Sequence, residues 1–173
     1  PALGVGPREA LRGRGAGWEI LATFLRTHAE AGEKDFYPEL LRLGTGGADA
    51  DSVDEEVEDA VKDHNQIRQA LRAAEKHGVG SDDWWTAVVD ANVHNSDHMG
   101  EEERQELADF RQQAGLALRH ESAVTVLRYD AKKAATGGEP TDTDPGRVEQ
   151  THSTSTRPDG REDDDTRRGT EAA

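Results

Sequence analysis

In the stretch HNSDHMGEEERQELADF, His94, His98 and Glu102 are spaced by four residues. Each such step turns the side chain by roughly 40° on a helix of 3.6 residues per turn, so neighbouring members can converge on one ion. Imidazole nitrogen and carboxylate oxygen are ligands that suit iron, zinc or manganese. Two further histidines fall on apolar stripes: His28 follows Leu21, Phe24 and Leu25, and His64 lies amid Val57, Ala60, Val61, Ile67, Leu71 and Ala74. A buried stripe normally excludes histidine and glutamate, since an unpaired polar group there costs several kcal/mol. A lone histidine on such a face is more often a hydrogen-bonded core residue. Three on successive helices, joined by Glu102, read instead as a metal-ligand set of the kind helical bundles build from facing helices.

These residues have to be positioned by helices. The first starts near Trp18 and runs to Leu43, with Pro38 expected to kink or locally break it and Gly44, Gly46 and Gly47 to end it. The second opens after Ser52, with Glu55 three residues on as in a capping box, and closes at Gly78 and Gly80. The third opens at Ser81, with Asp82 and Asp83 in its first turn, and its stripe is Trp84, Val88, Ala91, Asn95, His98 and Glu102. A further helical stretch carrying Leu107, Phe110, Leu118, Val124 and Leu127 reaches about Ala135, with Gly115 as its weak point. There is no strand signal and no internal repeat, so the fold class is all-α, an up-and-down helical bundle over residues 18–135.

Residues 1–17, with five glycines and two prolines, are expected to be irregular. Residues 136–173 read as a disordered acidic tail, because beyond Thr136 ten acidic and five basic side chains accompany only Val148, Ala172 and Ala173 as apolar ones. The 173 residues suffice for one domain with a real core, and no apolar run is long enough to span a membrane. The absence of cysteine excludes disulfides, thiolate sites and cysteine nucleophiles, leaving nitrogen and oxygen to hold any metal. A net charge of -15 argues against nucleic acid and anionic lipid as partners and suits the attraction of cations. With no leader signature, a cytoplasmic location is the default. His77 and His152 are expected to be solvated, His120 is unassigned, and Trp84 and Trp85 read as core packing.

The segments HAEAGEKDFYPEL from His28, DHNQIRQAL from Asp63 and HNSDHMGEEERQELADF from His94 together resemble the hemerythrin family in its HHE cation-binding form, over residues 18–135. The resemblance implies a four-helix bundle holding two irons between its helices and binding or sensing dioxygen or nitric oxide, or handling iron. By position it implies His28, His64, His98 and Glu102 as ligands, the set already drawn from the stripes. Two departures stand out. The family's early histidine ligand has no counterpart in residues 1–27, so either the chain is a fragment or that ligand has been lost. The bridging glutamate expected four residues after His28 is Gly32, and Glu33 lies about 140° around an ideal helix from His28, so it reaches the site only if the backbone shifts. One ion or none is therefore as open as two, and a bundle lacking its first helix is expected to be covered by the last helix or by a second copy, as monomer or homodimer.

The alternatives are a metal-free degenerate bundle acting as an interaction module, and catalysis at the metal. No nucleophile with a paired base, phosphate loop or nucleotide motif specifies a substrate.

Overall fold

A computed structural model describes residues 6–47, 50–136 and 142–146. Helix α1 spans Pro7–Ala31, a π-helical turn follows at Gly32–Phe36, and α2 spans Tyr37–Leu43. Helices α3 (Val53–Glu75), α4 (Asp82–Arg104), α5 (Glu106–Gln113) and α6 (Leu116–Thr136) complete an all-α bundle, with no strand among the described residues. Glu33 meets His64 and Arg68 while Arg26 meets Glu75, so α1 and α3 run antiparallel. Helix α4 returns beside α3 after a turn closed by Gly80, whose φ of 84° is left-handed and suits glycine. Helix α6 runs back along α1, with Lys133 on Glu30 at one end and Leu118 against the Phe36 cluster at the other. It occupies the fourth position of the bundle, as one of the two expected covers.

The caps follow the sequence. Ser52 Oγ accepts from the Glu55 backbone N–H and Ser81 Oγ from that of Trp84. Glu55 reaches back to the Asp51 N–H, one residue earlier than an ideal capping box. The helical stretch after α4 breaks twice, at Gln105 and at Ala114–Gly115.

Residues 1–17 are not irregular throughout, as had been expected: α1 begins at Pro7, with Gly6 as its extended N-cap. Proline at a helix start loses only an N–H that would be orphaned anyway. Leu11 packs on the turn at Gly80, anchoring the glycine-rich first turns. Of the expected disordered tail, residues 142–146 instead lie against α3, where the Asn65 side-chain amide pairs with the Thr143 backbone and Arg72 with Asp142; the remainder lies outside the described residues.

Two apolar clusters fill the bundle. One holds Trp18, Leu25, Leu71 and Trp84, the other Phe36, Leu40, Val61 and Phe110. Trp84 is core and meets Trp18 edge to face at 5.7 Å, whereas Trp85 is exposed. On α3, His64 falls between the two clusters, and His28 and His98 follow the members of the first cluster on α1 and α4.

Leu71 has no exposed surface. Leu71→Ala is expected to cost about 3 kcal/mol in urea unfolding, whereas Leu116→Ala, on a side chain 75% exposed, is expected to stay within about 0.5 kcal/mol.

Candidate metal centre

The π-helical turn decides the geometry of the first helix. Pro38 has no N–H to donate back along the chain and its ring crowds the carbonyl of residue 34, so the α-helical ladder cannot run unchanged through it. The chain inserts one extra residue per turn instead, and the Tyr37 N–H closes on the Gly32 carbonyl. Beside this turn Glu33 and Gly32 both lie against the His64 ring. Gly32 itself leaves room for the His64 ring: a Cβ there would stand 3.4 Å from His64 Cε1 and 3.6 Å from Tyr37 Cζ.

His64 and His98 are fully buried, and His28 is half-buried. One ligand nitrogen from each of the three lies within 4.8 Å of the others. His64 Nε2 and His98 Nε2 are 3.0 Å apart. Two nitrogens bound to one ion at about 2.1 Å stand about 3.0–3.4 Å apart, so this separation fits neighbouring ligands of a single metal. Glu102, buried on the same face of α4 as His98, places Oε2 3.5 Å from His28 Nε2. At that length the contact is close but not a formed hydrogen bond, and Glu102 raises the His28 pKa above 6.5 although burial opposes this.

Glu33 does not face this convergence point directly. Its Oε1 lies 3.0 Å from His64 Nδ1 and 2.8 Å from Arg68 Nη2, and Thr143 Oγ1 donates to its other oxygen. Glu33 was expected to reach the site only if the backbone shifted; its carboxylate meets the Nδ1 edge of the His64 ring, while the Nε2 edge faces His98. Burial opposes its ionisation, but His64 and Arg68 outweigh that and hold its pKa below the usual value. An ionised Glu33 can only accept, so His64 Nδ1 carries the proton. Burial also lowers the His64 pKa, which leaves the ring neutral and its Nε2 lone pair free to face His98.

His98 is held neutral as well, its pKa lowered to about 3 by burial and by His64. Its Nδ1 is buried without a hydrogen bond and looks toward Asp63 Oδ2 at 3.9 Å. With His64 Nε2 unprotonated, a proton on His98 Nε2 satisfies the contact between the two nitrogens. An ion held by the two Nε2 atoms would require the His98 proton on Nδ1, on the side of Asp63. Tyr37, fully buried, stacks on His64 at 5.7 Å and places its hydroxyl 3.4 Å from Nε2. Burial, reinforced by Glu102, raises the Tyr37 pKa so that the phenol stays neutral.

His94 is set apart from the cluster, 3.7 Å from Asp90, and His120 is exposed. Arg68, Tyr37, Asp63 and Thr143 were not picked out as site residues. Arg68 carried a signal, a charged residue four after His64 on a buried face; Thr143, from a distant polar segment, carried none. Compared with family models, curated proteins and solved structures, the chain matches none.

One turn beyond Glu102, Glu106 and Glu56 are buried among carboxylates. Burial and Asp109 raise Glu56 to about 7, the Gly47 backbone only partly opposing this, and burial with Glu56 and Glu102 nearby raises Glu106 to about 8. A carboxyl held protonated in the folded chain but ionised near 4.5 when unfolded contributes stability below pH 4.5 that is lost as pH rises to about 8. Glu106→Gln is therefore expected to gain on the unmodified chain by roughly 4 kcal/mol between pH 4.5 and pH 8, measured by urea unfolding at the two pH values.

Proposed function

We propose that the protein is a hemerythrin-like non-haem metal-binding bundle with a site for one ion, held by His28, His64, His98 and Glu102. Iron is the metal, and the protein binds or senses dioxygen or nitric oxide, or handles iron itself. The observation that carries this reading is the 3.0 Å approach of two buried, neutral imidazole nitrogens. A core with no ligand to bind would be expected to fill that place with apolar side chains. Three imidazoles and one carboxylate are a donor set suited to iron, zinc or manganese, and the acidic field of the chain favours a cation. Bound iron would supply open coordination positions for a small ligand. The protein's own residues set the frame: Glu33 and Arg68 hold the His64 ring and its tautomer, and Tyr37 offers a neutral O–H beside it.

The competing reading, a metal-free interaction module, is favoured by Ile20 and Phe24, which are 73% and 59% exposed on α1. Metal content separates the two. Elemental analysis of the chain produced with iron in excess is expected to give about one iron per chain, His64→Ala close to none, and Glu33→Gln roughly 10–100-fold weaker retention in a chelator competition. Equal, low iron in all three folded proteins would reject the metal reading and leave the interaction module.

A further inference from the structure

Between α1, α5 and α6 lies a cavity of about 550 Å³, within the roughly 300–1,000 Å³ range of small-molecule sites. His28 and Glu102 line it at the metal-centre side, and Phe36, Phe110 and Val126 give it an apolar body. Leu107 and Leu127, 45% and 66% exposed, bring it to the surface. Arg111 and Arg119 also line it. Neither arginine forms a salt bridge among the described residues, although acidic side chains outnumber Lys and Arg by 36 to 21, and Arg119 Nε is buried with no hydrogen-bond partner. Guanidinium groups at an apolar cavity, unpaired in so acidic a chain, are complementary to an anion that carries an apolar tail.

We propose that this cavity binds an aliphatic carboxylate of medium chain length, with the carboxylate on Arg111 and Arg119 and the hydrocarbon against Phe36, Phe110 and Val126. The orientation follows from charge: Glu102 at the inner side repels a carboxylate, so the anionic end stays with the arginines and the tail points inward. Binding of this kind does not depend on a metal at the histidines, and it would place an apolar tail beside His28.

The test is an NMR and calorimetric titration of the full chain with decanoate, decan-1-ol and decylammonium below their aggregation concentrations. Decanoate is expected to shift the Phe110 and Val126 signals and to bind at least about tenfold more tightly than the other two. Arg119→Gln is expected to weaken decanoate by about tenfold. Ala123→Trp, a substitution at an exposed lining position, is expected to remove binding while the circular dichroism stays helical. Decanoate binding unchanged by Arg111→Gln and Arg119→Gln, decylammonium binding as tightly, or no binding by any of the three would overturn the proposal. Iron content measured on the same variants reports separately on the metal centre, so the two readings fail independently.

Discussion

Arg68 and Glu33 are charged, nearly inaccessible to solvent, and face each other across the packing of α1 on α3. Removing two charges from water costs several kcal/mol per ion, and their mutual attraction repays this only where geometry and further hydrogen bonds are good. Here the second hydrogen bond is to His64 Nδ1. The pair therefore does more than join two helices: it fixes one imidazole by its far edge and leaves the near nitrogen unprotonated. The neutral state of His98 and the orphaned nitrogen on its other edge are arranged around that fixed ring, and so is the stacking of Tyr37.

The rest of the bundle makes such a layer affordable. Apolar clusters flank His64 along α3, and α6 covers the side toward His28 with a face that carries carboxyl and hydroxyl groups but no buried histidine. Asp130 on that helix adds to the raised pKa of His28 while its own Oδ1 lacks a partner. Electrostatic contacts thus link Asp130 to His28, His28 to Glu102, and Glu106 to both Glu102 and Glu56.

Much of this was legible in the sequence. Periodicity placed α3 and α4 nearly to the residue, because each has an apolar stripe of three-and-four spacing and a serine cap whose hydroxyl accepts from the expected turn. The same stripes singled out His28, His64, His98 and Glu102, since a polar residue at a buried register position is visible without coordinates. Glu33 was harder, because its place depends on the π-helical turn. The condition that the backbone must shift could be read from the spacing, and Pro38 was the visible cause of irregularity, but not which edge of which ring the carboxylate would meet. The helical start at Pro7 was hidden by glycines that a long helix tolerates at about 1 kcal/mol each. Thr143 was out of reach, since a contact made 110 residues away has no local pattern.

X-ray absorption fine structure on the iron-loaded chain tests most directly the proposed convergence of three imidazoles on one ion. It is expected to show a single iron environment with three imidazole nitrogens and a carboxylate oxygen near 2.1 Å, and no second iron nearby. A shell made of oxygen alone, without the outer scattering of imidazole rings, would contradict it.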